Sequence, residues 1–209
     1  MSGALDSQVI AFTLVAAVLT ITPGADTLLV VKNALRNGRG AGWATTLGIL
    51  GGTLIHALLS AIGLSVILMR SATAFQVVKS LGALYLIWIG IQAIRSSRTR
   101  VTTEEGPSSA SFRSSFTEGL VTNVLNPKVA VFYLAFLPQF IGAADPVLAK
   151  SILLACIHNA MGLIWLGGLS VAVSRGRRWI QRPAVGAWIS RASGAILVGL
   201  GVRLAIDRS

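Results

Sequence analysis

The sequence has few charged residues, and acidic residues are especially scarce. Of 209 residues, 12% are charged and only 7 are Asp or Glu, whereas 54% are hydrophobic and the mean hydropathy is +0.74. Soluble domains carry about 25% charged residues. A soluble protein with buried helices would also need polar outer faces, which the apolar stretches of this chain lack. The composition therefore predicts an integral membrane protein.

Cysteine, histidine and nucleotide-binding motifs are also scarce or missing, which argues against several classes of function. The single cysteine, Cys156, can form neither an internal disulfide nor a thiol relay. Two histidines and 7 acidic residues are too few for the ligand-rich segments of a metal exporter. The chain has no Gly-rich lysine loop that would bind a nucleotide. We expect neither an enzyme nor an ATP-driven pump, and we assign no catalytic residue, cofactor or metal site.

Long apolar stretches, in contrast, fill most of the chain. Each of six is about 20 residues or longer, which is the length that spans the hydrocarbon core of a bilayer as a helix. They cover residues 8–31, 41–69, 75–94, 116–141, 147–173 and 186–206. No Lys or Arg precedes the first stretch, so we expect it to be retained rather than removed as a signal peptide. The pattern predicts an all-α membrane protein with six transmembrane helices.

The net charge of +11 is distributed unevenly among the connections between these stretches. Twelve basic residues are predicted on one side of the membrane: Lys32, Arg36, Arg39, Arg95, Arg98, Arg100, Arg113, Arg175, Arg177, Arg178, Arg182 and Arg191. Five are predicted on the other: Arg70, Lys79, Lys150, Arg203 and Arg208. Because positive charge collects in cytoplasmic loops, both termini should face outward. The basicity is thus explained by topology and does not indicate a nucleic-acid partner.

The two halves of the chain repeat each other. Three pairs of segments match in the same order: Phe12-Thr13 and Pro23 with Phe116-Thr117 and Pro127, Ile55-His56 with Ile157-His158, and KSLGA (79–83) with RASGA (191–195). Since each copy holds three predicted spans, the second copy must enter the membrane from the opposite side. Such inverted repeats are typical of secondary transporters, whose sites lie near the midplane where broken helices meet. The predicted organisation is a first three-helix repeat (1–95), a cytoplasmic linker (96–115) and a second three-helix repeat (116–209).

Proline interrupts the first and fourth predicted helices, at Thr22-Pro23-Gly24 and at Asn126-Pro127. A proline within a helix removes a backbone hydrogen bond and biases the preceding residue away from helical geometry. Non-helical backbone at membrane depth is tolerated only inside protein or beside a water-filled cavity. The sequence therefore predicts broken helices 1 and 4 with a cavity between them.

A charged residue follows each break, Asp26 after Pro23 and Lys128 after Pro127. An ionised side chain at membrane depth costs at least about 2.5–3.5 kcal/mol and is by default a functional residue. Two interpretations stay open. In the first, the two charges form a buried salt bridge that only fixes packing, or Asp26 lies near the cytoplasmic surface. In the second, Asp26 binds a proton or a substrate ammonium, and Lys128 or an opened helix end binds a carboxylate.

The candidate site therefore centres on the two breaks. The predicted substrate- and ion-binding residues are Thr22, Pro23, Gly24, Asp26, Asn126, Pro127 and Lys128. Further candidates for the cavity lining are Asn123, His56, His158 and Asn159. The depth of Asp26 is left open, because its distance from the apolar edge places it near the cytoplasmic end whereas the repeat places it near the middle.

The motifs around these residues resemble those of the LysE/RhtB family of amino-acid exporters. They are TPGAD (22–26), NGRGAGWATTLGILGG (37–52) and NPKVAVFYLAFLPQF (126–140), and the resemblance extends over essentially the whole chain. It implies efflux of amino acids such as homoserine, threonine, lysine or leucine, driven by the proton gradient, across a bacterial-type plasma (inner) membrane. Ala25 stands where the usual family motif has a second proline, which should soften the first break slightly.

The function expected is secondary transport, with an amino acid and protons as ligands and the lipid bilayer as surroundings. The alternative is a channel or facilitator for small polar solutes, because a cavity does not by itself establish alternating access. Membrane thiol-disulfide shuttles with a similar repeat need a cysteine in each broken helix, and this chain has none there. Faces of small residues would allow a homodimer.

Overall fold

In the computed structural model, residues 2–70, 72–95, 111–142, 145–175 and 183–206 are described, and every regular element in these ranges is helical. The α-helices are α1 (Ser2–Ile21), α2 (Ala25–Arg70), α3 (Ala72–Arg95), α4 (Phe112–Val124), α5 (Pro127–Val131), α6 (Val147–Arg175) and α7 (Pro183–Ile206). Helix α5 continues through a π-helical turn (Phe132–Phe136) and a 3-10 turn (Leu137–Phe140). The all-α fold class is confirmed.

By length and composition, two helical segments of the described residues could each cross a membrane: one lies within Ala25–Gly63, and the other is Val147–Val173. A third is added if the pair Phe112–Val124 and Pro127–Phe140, which is bent by 50°, forms one span. These apolar helices agree with a membrane protein. The arrangement of six spans in two repeats stays a prediction.

Helix α2 reverses direction at Gly38. This residue has φ 82° and ψ 179°, a conformation that is essentially restricted to glycine. Asn33 Nδ2 donates a hydrogen bond to Thr45 Oγ1 at 2.9 Å, although 12 residues would span about 18 Å in a straight helix. We therefore divide α2 into a first arm (residues 25–37) and a second arm (residues 39–70), which pack against each other. The reversal falls between the first two predicted spans.

Helix α4 begins at Phe112, within the last residues of the predicted linker. Ser111 caps it by accepting a hydrogen bond from the Ser114 backbone N–H at 3.1 Å, and this cap explains why the helix starts before the apolar stretch does. Residues 96–110 of the linker lie outside the described residues. So do some of the basic residues on which the topology prediction depends: Arg98, Arg100, Arg177, Arg178, Arg182 and Arg208.

The helices approach one another closely where they carry glycine. The second arm of α2 packs against α4 and α6, while α3 packs along α7. A Cβ on Gly90 would lie 2.6 Å from the Gly194 carbonyl oxygen, and a Cβ on Gly194 would lie 2.5 Å from that of Gly90. Further along, a Cβ on Gly201 would lie 2.8 Å from the Ala83 carbonyl oxygen. Because the earlier residue of α3 meets the later residue of α7, these two helices are antiparallel.

A polar cluster joins the start of α6 to α1. Lys150 is 5% exposed, and its Nζ donates to Gln8 Oε1 at 2.7 Å and to Asp145 Oδ2 at 2.6 Å. The Gly142 backbone N–H donates to the same Asp145 oxygen at 2.7 Å. The hydrogen bonds from Lys150 and from Gly142 hold the pKa of Asp145 below its ordinary value. Asp145 is thus held ionised, as a partner for the buried ammonium.

Candidate functional site

At the first break, Lys128 replaces a hydrogen bond that proline removes. In a helix, the carbonyl of Leu19 would accept from the N–H of residue 23, but Pro23 has none. Lys128 Nζ donates instead to the Leu19 carbonyl oxygen at 3.2 Å and to the Thr22 carbonyl oxygen at 2.9 Å. The end of α1 is therefore capped by a cation from the other half of the chain.

At the second break, a histidine side chain donates to the carbonyl that loses its helical donor to proline. Asn123 precedes Pro127 by four positions, as Leu19 precedes Pro23, so its carbonyl loses the equivalent donor. The His56 ring N–H at Nε2 donates to that carbonyl oxygen at 3.1 Å, and the Asn126 backbone N–H donates to it at 2.9 Å. Asn126 also caps α5 through its side-chain oxygen, which accepts from the Lys128 backbone N–H at 3.0 Å.

Two glycines make room for these polar groups. A Cβ on Gly24 would lie 3.1 Å from Lys128 Nζ, and a Cβ on Gly52 would lie 2.6 Å from Asn123 Oδ1. Real Cβ atoms rarely approach a neighbour this closely, and the second approach would require Asn123 to move. Gly24 therefore lets the ammonium reach the end of α1, and Gly52 lets the amide of Asn123 enter the space between the helices.

Asp26 is held by an amide rather than by the lysine. Asn123 Nδ2 donates to Asp26 Oδ2 at 2.8 Å. Among the described residues, no ion pair joins Asp26 and Lys128, in contrast to Lys32–Glu118 and Lys150–Asp145. Asp26 Oδ1 and Asn123 Oδ1 are buried without a hydrogen-bond partner among the described residues. Buried polar atoms are normally satisfied, and these two acceptors are thus available to a ligand that donates hydrogen bonds.

A cavity of about 40 Å³ lies between the two breaks. Its lining includes five of the predicted residues: Asp26, Asn123, Lys128, His158 and Asn159. The other predicted residues are not part of this lining: Thr22, Pro23, Gly24, Asn126 and Pro127 form the broken backbone, and His56 contacts Asn123 from the second arm of α2. A volume of this size accommodates water but is far below the about 300–1,000 Å³ of small-molecule sites. This conformation is closed to an amino acid.

The ring of His158, the second of the two histidines, is held in place by Tyr133, which follows α5. The Tyr133 hydroxyl and His158 Nδ1 lie 3.0 Å apart in a hydrogen bond, and the two rings are stacked with centroids separated by 5.8 Å. Tyr133 is fully buried within the π-helical turn, and such turns occur frequently at functional sites. Asn159, the next residue, donates to the Leu50 carbonyl oxygen at 3.1 Å. The His158 ring thus has a defined orientation beside the cavity.

Several residues of the site were not predicted from the sequence. Three threonines line the cavity: Thr20, Thr27 and Thr53. Thr20 and Thr27 lie close to the first break, and Thr53 lies one helical turn before His56, so proximity to the predicted residues could have indicated all three. The apolar wall includes Leu50 and Leu166, and nothing distinguishes these leucines from others in the sequence.

Glu118 connects the two halves of the chain on the Gly38 side of the first break. Its carboxylate accepts from Lys32 Nζ at 3.1 Å and from Asn33 Nδ2 at 2.9 Å. Asn33 also donates to Thr45, so the first arm of α2, the second arm and α4 are joined. The Lys32 and Glu118 side chains are 43% and 41% exposed, and a pair this exposed contributes at most about 1 kcal/mol. Such a contact can break and re-form readily.

Comparisons with known proteins identify similar membrane proteins. A family model described as LysE type translocator matches residues 17–208. An uncharacterized membrane protein of Bacillus subtilis, YrhP, is 30% identical, with the match covering 96% of this chain and 99% of that protein. The homoserine/homoserine lactone efflux protein of Salmonella typhi is 29% identical over 95% of this chain and 96% of its own length. The threonine efflux protein of Escherichia coli K12 is 28% identical over 91% and 94%, respectively. No solved structure matches the chain.

Proposed function

Because the chain belongs to the LysE-type translocator family, and is therefore a membrane transporter and not an enzyme, we propose that it exports a small amino acid from the cytoplasm in exchange for protons. The observation that carries this proposal is the pair of helix breaks, which bring a carboxylate and an ammonium to one cavity without a direct ion pair between them. Relatives named as efflux proteins for homoserine and threonine support export of amino acids.

The chemistry of the cavity suits a zwitterion. Asp26 Oδ1 and Asn123 Oδ1 are buried acceptors for a substrate ammonium. Lys128 uses two of its three N–H groups on carbonyl oxygens, so one remains for a substrate carboxylate. An amino acid presents both charges at once, and compensating both reduces the desolvation cost that either charge alone would carry.

Proton coupling is assigned to Asp26. If Asp26 must be ionised to bind the substrate ammonium and protonated to return empty, each cycle carries a proton opposite to the amino acid. Acidic side chains within membrane-spanning segments commonly serve as proton carriers in transporters. The single hydrogen bond from Asn123 leaves the other carboxylate oxygen, Oδ1, available to accept that proton.

The proposed architecture is six spans in a 3+3 inverted repeat with both termini outside a bacterial inner membrane. Two observations support the repeat. Helices α3 and α7, which carry the third matching pair of segments, are antiparallel. The carbonyls of Leu19 and Asn123, four positions before their respective prolines, are both satisfied by side chains from elsewhere in the chain. A side chain from elsewhere in the chain thus donates to the carbonyl at each break, and at the second break the Asn126 backbone N–H donates as well.

Transport requires the closed cavity to enlarge toward each side in turn. The contacts of Glu118 with Lys32 and Asn33 restrain α4 against the first arm of α2, and the contacts of Lys150 restrain α6 against α1. The residues of the Glu118 contacts lie between the two breaks in the sequence. Those of the Lys150 contacts lie before the first break and after the second. We propose that the two groups of contacts close the two ends of the pathway alternately.

An expression screen tests the function. Cells that express the chain should tolerate toxic concentrations of one or a few amino acids or analogues and accumulate them outside, with homoserine and threonine tested first. The Asp26→Asn variant, inserted at the same level, is the matched control and should give no tolerance. Failure of every amino acid to respond to expression would contradict the substrate class.

A further inference from the structure

The end of α1 presents two carbonyl oxygens that converge on one positive charge. Leu19 loses its helical donor to Pro23, Thr22 lies beyond the last residue of α1, and both oxygens accept from Lys128 Nζ. We propose that these two carbonyls form a monovalent-cation site, and that the ammonium of Lys128 occupies it in this conformation as a tethered ion. The site is separate from the acceptors that Asp26 and Asn123 offer to the exported substrate.

The electrostatics of the site favour a cation independently of lysine. The C-terminal end of a helix carries a partial negative charge of about half an elementary unit, and unwound carbonyls at broken helices coordinate small cations in other transporters. Asp26 adds a full negative charge beside the same cavity. The absence of a side chain at Gly24 keeps the space next to the two oxygens open, since a Cβ there would lie 3.1 Å from Nζ.

The ammonium that acts as the tethered ion and the carbonyls that it contacts belong to different helices. Lys128 is on α5, whereas both carbonyls are at the end of α1. A movement that separates the end of α1 from the start of α5 would therefore lengthen the two Nζ–O contacts. When the ammonium leaves, two carbonyl oxygens lose their donor, and a free monovalent cation of similar size would compensate them. The ammonium of Lys128 thus supplies the positive charge that a bound cation would otherwise have to supply to these two oxygens.

Removing the tethered ion should convert the site into one for a free cation. We would purify the full-length Lys128→Ala variant in detergent and measure its thermal stability in methylammonium, sodium and choline chlorides at equal ionic strength. Methylammonium matches the lysine head group, sodium represents inorganic cations, and choline is too large for the site. We expect methylammonium, sodium or both to raise Tm saturably by about 2–4 °C, and choline to have no effect.

The control variant is Lys128→Met, which removes the charge but leaves an unbranched side chain of similar length in the site. Neither it nor the unaltered protein should respond to the cations. If Lys128→Ala is too unstable to purify, the readout becomes the yield of monodisperse protein after extraction in each salt, with the same expected order. The proposal is wrong if Lys128→Ala responds to neither cation, or if Lys128→Met responds equally. No transported substrate enters this measurement, so its outcome is independent of the export proposal.

Discussion

The missing N–H of proline explains why polar side chains are buried beside each break. The Leu19 and Asn123 carbonyls each lose a helical donor, and Lys128 and His56 replace those donors. A buried acceptor left without a partner costs about 1–3 kcal/mol, so Lys128 stabilises the structure whether or not it also binds a ligand. The Asn123 carbonyl, in contrast, also accepts from the Asn126 backbone N–H and does not depend on His56 alone. A separate test is needed to show whether transport requires each charge at its own position or only the attraction between the two.

Exchanging the two charges provides that test. In the double variant Asp26→Lys with Lys128→Asp, the net charge is unchanged, but a carboxylate then faces the Leu19 and Thr22 carbonyl oxygens and repels them. We expect transport to fall by roughly 10- to 100-fold or more, the equivalent of a lost charge-assisted hydrogen bond. Asp26→Asn and Lys128→Met should each be similarly impaired, with normal membrane insertion verified by detection of the protein in the membrane fraction. Normal transport by the exchanged variant would overturn the assignment of both residues to the site.

The helical elements are positioned by backbone features that single residues control. Gly38 turns α2 back on itself, and the 50° bend between α4 and the α5 segment opens the second break. Both features bring residues that are far apart in the sequence to one cavity. The π-helical turn after α5 then places Tyr133 against His158. The geometry of the site is thus sensitive to substitutions that do not line it.

Gly38 and Gly40 form a matched pair for testing the reversal of α2. Both are exposed with no atom within 4 Å of a hypothetical Cβ, but Gly38 has a positive φ and Gly40 is helical. Gly38→Ala should lower Tm by several degrees, because such a conformation costs a non-glycine residue about 1–3 kcal/mol. Gly40→Ala should leave Tm unchanged or raise it slightly, since alanine is the better helix former. Thermal unfolding in detergent measures both, and equal effects would argue against the reversal at Gly38.

The elements and the breaks could be predicted from the sequence, whereas most contacts across the site could not. Long apolar stretches and prolines indicate helices and interruptions directly, and the repeat drew attention to Asp26 and Lys128. The bond of Lys128 with the Leu19 and Thr22 carbonyls links residues that are more than 100 positions apart. The Glu118 contacts likewise depend on which helix faces meet. Helix packing determines such pairs, and no local spacing encodes them.

At the scale of the whole molecule, the uneven distribution of basic residues predicts the orientation in the membrane. Residues 96–115 should face the cytoplasm and both termini the outside. In a Cys156→Ala background, a single cysteine at Ser2→Cys should react with an impermeant thiol reagent added to intact cells, and one at Ser108→Cys should not. Cys156 must be removed first because it is exposed. Labelling of Ser108→Cys from outside would reverse the orientation.

Proton-coupled export is the central claim, and efflux from reconstituted vesicles tests it most directly. Vesicles that contain the purified protein in its cellular orientation would be preloaded with the radiolabelled amino acid found in the screen. We predict that an acidic exterior accelerates efflux, that a protonophore removes the acceleration, and that Asp26→Asn abolishes it. Efflux that continues at the same rate after the proton gradient is collapsed would contradict coupling and indicate a facilitator or channel.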